Sequence, residues 1–251
     1  MAPSGTEPVF GLHAVTALLE TEPGRVQAVW VQDNRREDRV ATLIELAARS
    51  GIAVTAMARR DLDARLPGQR HQGLAAWALP AERLGEADLK ARLGAWGADS
   101  LLLALDGVQD PHNLGACLRT AWAVGAQGVI VPVDRAAGLT PVVRKVAVGA
   151  VEHVPLFQVT NLARTLRMLG DAGFRILGAD AHASQSLYQA DLSGPLVWVL
   201  GAEGSGLRRL TQEACDLRVT IPLDAAAESL NVSVAAGVVL FETRRRRLTR
   251  A

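Results

Sequence analysis

Cysteine is nearly absent: Cys117 and Cys215 are the only two, and they stand far apart. They form no Cys-x-x-Cys pair and no cluster with histidine at metal-ligand spacing, which excludes a disulfide framework and the usual zinc signatures. A reduced, cytoplasmic protein is the expectation. Long apolar runs are missing as well. No uncharged stretch approaches the ~18 residues of a membrane-spanning helix. The opening MAPSGTEPVFGLHAV lacks the basic start and apolar core of a signal or transit peptide, so no membrane partner is expected. Nor is there an excess of one charge, the net value being +1. A nucleic-acid partner would therefore depend on local basic groups. Arg144-Lys145, Arg208-Arg209 and the run Arg244–Arg247 are the candidates, although that run also reads as the cationic end of a last helix.

Several catalytic signatures are missing too. Ser205 is not in a GxSxG elbow, and no HExxH is present, so no metal is expected. Cys117 reads as a small packed residue, and His112 and His153 have no partner that the sequence alone identifies.

What is present is a large apolar content, 49% of 251 residues, arranged in alternating elements. In residues 8–78, GLHAVTALLE has helical spacing and VQAVWVQ reads as a strand. DRVATLIELAARSG is an amphipathic helix closed by Gly51, and IAVTAM and QGLAAWA are further strands. Residues 1–78 are thus a small α/β domain, and 79–99, richer in charge and glycine, a linker with a short helix. Residues 100–251 form the larger domain. There LLLALD, GVIVPV, VPLFQV, FRILGAD, LVWVLG and LRVTIPL are continuous apolar strands, separated by helical segments. That pattern predicts an α/β fold with a parallel sheet buried on both faces. Binding residues then belong at the carboxyl ends of the strands, where three polar turns fall: DGVQDPHNLG, GAEGSG and PLDAAAESLN.

In the first turn, Pro111 ends the strand and Asn113 is placed to cap a helix beginning near Leu114. Arg119 then lies less than two turns inside that helix, a poor place for a cation in the dipole field. This points either to a functional role or to an ordinary surface ion pair. In the second turn, glycines allow close approach of backbone N–H groups to a ligand. Asp224 about twenty residues later imitates a dinucleotide fingerprint, but the order is GxxGxG rather than GxGxxG and the turn comes late in the fold, which argues against a nicotinamide site. Glu203 within the turn would repel a phosphate, so a cationic or neutral ligand fits better. In the third, Ser229, Asn231 and Ser233 are all suited to cap the last helix. NVSVAAGVVLFETRRRR is apolar nearly all round as far as Glu242, which predicts burial on every side and a covering partner, most economically a second copy of the chain and alternatively the chain's own small domain.

Taken together, NLGACLRTAWAVGAQGVIV, LVWVLGAEGSGLRRLTQEACD and VTIPLDAAAESLNVSVAAGVVLFE resemble, in order and spacing, the three motifs of the SpoU/TrmH class of RNA 2′-O-ribose methyltransferases. VRKVAVGAVEHVPLFQVTNLARTLRML and VFGLHAVTALLE are similar to other parts of the same family, so the likeness spans nearly the whole chain. It is greatest to the members that methylate a guanosine ribose in the peptidyl-transferase region of bacterial 23S rRNA. Sister enzymes acting on tRNA or other rRNA sites share all three motifs, and a non-catalytic ribosome assembly factor with a vestigial pocket is a further alternative.

The resemblance implies a parallel-sheet methyltransferase domain with a carboxyl-terminal trefoil knot, preceded by an RNA-binding domain like ribosomal protein L30. It implies S-adenosylmethionine as cofactor, held by Gly201, Ile221 and Leu230 largely through backbone atoms. It assigns essential roles to Asn113, Arg119, Glu203, Ser229 and Asn231. The implied partners are 23S rRNA, free or in a pre-50S particle, and a second copy of the chain in a homodimer.

Overall fold

A computed structural model of the chain describes residues 3–35, 37–80, 84–224, 227 and 229–249. The chain divides into two compact units, Met1–Glu82 with Leu139–His153, and Arg83–Gly138 with Val154–Ala251. The first opens with β1 (Glu7–Phe10) and α1 (Leu12–Thr21), followed by β2 (Val26–Gln32) and α2 (Asp38–Arg49). It continues with β3 (Val54–Met57), α3 (Arg59–Arg65) and β4 (Leu74–Ala78). The sheet order is β1-β4-β2-β3. The sequence reading missed β1 and α3, both too short for a period to declare itself. Val40, Leu43 and Ala47 give α2 a buried stripe. Gly51, at φ +70°, stops it, with the N–H of Ile52 donating to the carbonyl of Ala47 at 2.9 Å.

The second unit begins with α4 (Glu86–Leu93), the short helix expected in the connecting segment 79–99. Its Leu89 is fully buried in that unit's core. Then come β5 (Leu101–Asp106), α5 (Pro111–Val124) and β6 (Gly128–Pro132). The chain next contributes α6 (Pro141–Ala147) to the first unit. There the buried Arg144 donates to Glu152 at 2.8 Å and Glu7 at 3.2 Å. It returns for β7 (Leu156–Val159), α7 (Leu162–Asp171), β8 (Arg175–Ala179) and the two-residue β9 (Gln185–Ser186). The last elements are β10 (Leu196–Gly201), α8 (Arg209–Gln212), β11 (Leu217–Thr220) and α9 (Val232–Leu248). The segments read as GLRRLTQEACD and LRVTIPL are regular over only four residues each, because turns that shape a cavity take the rest.

The seven strands run in the order β7-β6-β5-β10-β8-β11-β9 and every pairing is parallel. The chain moves outward from β5 to β7, then resumes on the other side of β5, with β10 inserted between β5 and β8. That reversal opens a crevice at the carboxyl ends of the strands. Burial on both faces follows from the alternation along β10. Val197 and Val199 pack with Leu89 of α4 and with Leu162, Leu166 and Leu169 of α7. Trp198 points the other way, its Nε1 donating to Thr243 of α9 at 2.9 Å.

Two expectations about the helices change. The cap of α5 is Asp110, whose side chain accepts from the N–H of His112 at 3.0 Å, not Asn113. The helix starts at Pro111 because proline suits the first helical position, where an N–H would be unsatisfied anyway. Asn113 falls inside the first turn and Arg119 in the middle of the helix, away from the dipole's positive end. Helix α9, in turn, is not buried all round within the chain: Val234, Phe241 and Leu248 are at least half exposed along one stripe. Among the described residues no helix is long and apolar enough to cross a membrane.

Candidate active site

The turn after β10 is set by a glycine that has no alternative. A Cβ on Gly201 would lie 2.1 Å from the backbone carbon of Gly206 and 2.4 Å from the nitrogen of Leu207. The turn folds back on itself here, with the N–H of Gly206 donating to the carbonyl of Ala202 at 2.9 Å. Both feet of the turn are fixed to Asp106, the last residue of β5, which pairs with Gly201 across the sheet. The carbonyl of Asp106 accepts from the N–H of Ala202 at 3.1 Å. Its buried carboxylate accepts from the backbone N–H of Arg208 at 2.9 Å and from its Nε at 2.5 Å. A buried carboxylate needs such donors to stay satisfied, so the pair pins the turn rather than leaving it a mobile tip.

The pinned turn carries Glu203. Its Oε1 accepts from Nδ2 of Asn113 at 3.4 Å, from Nδ2 of Asn231 and from the backbone N–H of Val232 at 3.3 Å. Nδ2 of Asn231 also reaches Oδ1 of Asn113 at 3.0 Å. Asn231 is the cap of α9: its Oδ1 accepts from the N–H of Ser233 at 2.9 Å and from its hydroxyl at 2.6 Å. The choice among the three capping candidates thus falls to Asn231. Glu203 adds a carboxylate to the positive end of the same helix, where the dipole favours it. Residues from three turns, distant in sequence, meet in one cluster.

Beside the cluster lies a cavity of about 720 Å³ at the ends of β8, β10 and β11. Gly201, Glu203, Ile221, Ser229 and Leu230, all singled out in the sequence, line it. Arg119 is not joined to them: it is exposed, and among the described residues it has no ion-pair or hydrogen-bond partner. Its alternative reading as a surface ion pair finds no partner among the described residues.

The sequence reading overlooked Asp106, which shapes the turn, and Asp180 and Arg218, which line the cavity; Arg208, read there as a basic candidate for a nucleic-acid partner, donates instead to the Asp106 carboxylate. A signal existed. LLLALD and FRILGAD are apolar strands that each end in an aspartate at the sheet edge where ligands bind. Burial of the two thiols pushes the pKa of Cys117 and Cys215 up to about 12, which disfavours the thiolate that a nucleophile needs. The basic run Arg244–Arg247 is engaged within the fold. Arg244 donates to the carbonyl of Val124 at 3.0 Å, Arg245 and Arg246 to Glu242, Arg246 to the carbonyl of Ala190 at 2.7 Å, and Arg247 to that of Gly194 at 2.8 Å.

This arrangement can be set beside known proteins. Residues 100–241 match the SpoU rRNA Methylase family, and residues 8–84 match the RNA 2′-O ribose methyltransferase substrate binding family. The 23S rRNA (guanosine-2′-O-)-methyltransferase RlmB of Pseudomonas putida is 52% identical over 244 residues, covering 97% of this chain and 98% of that protein. The protein of the same name from Shewanella oneidensis is 51% identical over 239 residues, covering 95% and 97%. Among solved structures, the SpoU methyltransferase AviRb from Streptomyces viridochromogenes, in complex with AdoMet, superposes with a TM-score of 0.80 over 98% of this chain and 92% of its own. At 24% identity that likeness speaks for the fold alone. The A. aeolicus TrmH/SpoU tRNA modifying enzyme, 27% identical with a TM-score of 0.56, covers 64% of this chain and 85% of its own. The parallel sheet, the pinned glycine turn and the match over 100–241 lead to one conclusion: the chain belongs to the SpoU rRNA methylase family.

Proposed function

We propose that the protein transfers a methyl group from S-adenosylmethionine to the 2′-hydroxyl of a guanosine ribose in 23S rRNA, in the peptidyl-transferase region. The observation that carries this reading is the cluster of Asn113, Glu203 and Asn231 at the edge of a cavity in a chain 52% identical to an enzyme of that name. The cavity suits the cofactor on its own terms. Its volume of about 720 Å³ lies within the usual span of ~300–1,000 Å³ for ligand sites. Gly201, Gly204 and Gly206 line the cavity without side chains of their own. The carboxylate of Glu203 favours a cation.

When bound, S-adenosylmethionine supplies an electrophilic methyl group on a sulfonium centre. Gly201, Ile221 and Leu230 hold it, and Asn113, Glu203, Ser229 and Asn231 orient the ribose. In-line attack demands that the nucleophilic oxygen be held in one direction, and positioning of this kind contributes up to ~7–11 kcal/mol in ideal cases. Arg119 is protonated and carries no acceptor, so it is no general base. It binds the adjoining phosphate and stabilises negative charge developing on the 2′-oxygen, and the proton leaves through phosphate or water. Its guanidinium, exposed and without a partner among the described residues, supports this role.

The first domain, 1–78 with its connector 79–99, recognises RNA on an L30-like fold, while 100–251 is the catalytic domain with its carboxyl-terminal part threaded as a trefoil knot. The substrate is 23S rRNA, free or in a pre-50S particle, and the protein is cytoplasmic. The exposed stripe Val234, Phe241 and Leu248 on α9, with the half-exposed Trp122 of α5, supports a homodimer through that surface.

The test is transfer of labelled methyl to unmodified 23S rRNA and, separately, to bulk tRNA, with the product located by mass spectrometry. A single 2′-O-methylguanosine in 23S rRNA is the expected result. Label in tRNA alone would keep the chemistry and overturn the substrate.

A further inference from the structure

The cavity has a second polar wall, on the side of β10 away from Asn113. Asp180 follows β8 and Arg218 lies within β11, and both line the cavity together with Gln212. Asp180 Oδ2 accepts from Nη1 of Arg218 at 2.9 Å, and Oδ1 accepts from the backbone N–H of His182 at 2.9 Å. Nη1 of Arg218 also donates to Oε1 of Gln212 at 3.4 Å. The Asp180 side chain is only 14% exposed, so its orientation is set by these partners.

A carboxylate offers about four lone-pair sites, and one on each oxygen is used. One acceptor site per oxygen remains, on a fixed group facing a cavity. The charges of Asp180 and Arg218 cancel, so the wall has no net charge with which to select a free ion. What it offers is a pair of adjacent acceptors, and the chemical complement of such a pair is a vicinal diol. The same cavity is also lined by Leu200, Leu207, Ile221, Leu223 and Leu230, apolar side chains suited to the face of a flat base.

We infer that Asp180 binds the ribose hydroxyls of the cofactor's adenosine, with Arg218 acting as the positioning residue that holds the carboxylate. This rests on the reading of the cavity as the S-adenosylmethionine site and extends it from backbone contacts to a side chain. On this assignment Asp180 would hold the ribose hydroxyls and would make no contact with the amino-acid arm.

The test is calorimetric titration of the full chain with S-adenosylhomocysteine, 5′-methylthioadenosine, which lacks the amino-acid arm, and the 2′-deoxy and 3′-deoxy forms of the latter. Asp180→Asn is expected to weaken the first two ligands alike, by about tenfold or more, the scale for losing hydrogen bonds to a charged group. On the unaltered protein, removing either hydroxyl is expected to weaken 5′-methylthioadenosine comparably, and Asp180→Asn to abolish most of that difference. The deoxy-ligand measurement on the unaltered protein stands even if the variant folds poorly. Weakening of S-adenosylhomocysteine alone would place Asp180 against the amino-acid arm and overturn the assignment, as would deoxy ligands that bind unchanged. Failure of the unaltered protein to bind S-adenosylhomocysteine at all would instead overturn the cofactor reading beneath it.

Discussion

At its amino-terminal end α9 is capped by Asn231 and met by the carboxylate of Glu203, a residue from a turn 29 positions upstream in the chain. At its carboxyl end Arg244, Arg246 and Arg247 donate to backbone carbonyls of three other segments, while Arg245 and Arg246 hold Glu242. Both ends satisfy the helix dipole with the proper sign, yet they leave different things behind. The arginine end uses most of its donors on carbonyls of the chain and on Glu242, with Nε of Arg247 buried and unpaired among the described residues, and so ties the helix to the rest of the fold. At the other end Glu203 and Asn231 still stand beside a cavity and a residue, Asn113, that belongs to a third element. Charge density alone would have pointed to the arginine end, where most donors are already engaged within the chain. The distinction lies in whether the polar atoms have been matched within the chain.

That contrast can be broken most sharply at the cavity. Leu230→Arg places a cation and a long side chain where Leu230 lines the pocket, and S-adenosylhomocysteine binding is expected to vanish in calorimetry. An unchanged dissociation constant would remove Leu230 from the site. Next in size is Arg119→Ala. With no side-chain partner among the described residues, Arg119 is expected to contribute little to folding, so the melting temperature and cofactor binding stay unchanged. Turnover on 23S rRNA is expected to fall about 10²-fold or more, the scale for losing a donor to transition-state charge. Turnover within tenfold of the unaltered protein would end the proposed role.

How far the sequence discloses this depends on the range of the interactions. The parallel sheet is legible because strands such as LVWVLG and LLLALD are apolar throughout, a pattern that only two-sided burial requires. The glycine turn is legible as a turn, but not the reason for Gly201, which is a backbone approach from Gly206 five residues on. Asn113 reads as a cap because asparagine favours caps; Asp110, three residues earlier, does the capping, since Pro111 already fits the first helical position. The resemblance brings Asn113, Glu203 and Asn231 into one functional set, but no spacing rule predicts that their side chains touch. Still less visible is the destination of 139–153. It lies in the midst of the larger domain's sequence, yet Arg144 and Glu152 are buried in the first unit, through partners more than a hundred residues away. Long-range pairing of buried charges leaves no periodic trace.

Smaller effects belong to the arginine end, and they should appear in stability rather than in chemistry. Arg247→Ala loses bonds to the carbonyls of Asp99 and Gly194. A loss of ~1–3 kcal/mol is the scale for such charge-assisted bonds, visible as a fall of several degrees in melting temperature with turnover at permissive temperature unchanged. Loss of rRNA binding without loss of stability would reassign the run to RNA.

Glu242 gives the smallest and most specific effect. Hydrogen bonds from Arg245, then from Arg246, hold its carboxyl down to about 2, against an opposing contribution from burial. A carboxylate whose folded pKa lies below its unfolded value near 4.3 stabilises the fold above that unfolded value, and this stability is lost as pH falls toward 2. Arg245 is largely exposed, so solvent screening limits the contribution to about 1 kcal/mol. Glu242→Gln should therefore lower the melting temperature slightly at pH 7 and flatten its decline between about pH 4.5 and 2. If the variant and the unaltered protein lose stability in parallel across that window, Glu242 is not ionised through these arginines. The arginine end of α9 would then be held by its backbone carbonyls alone.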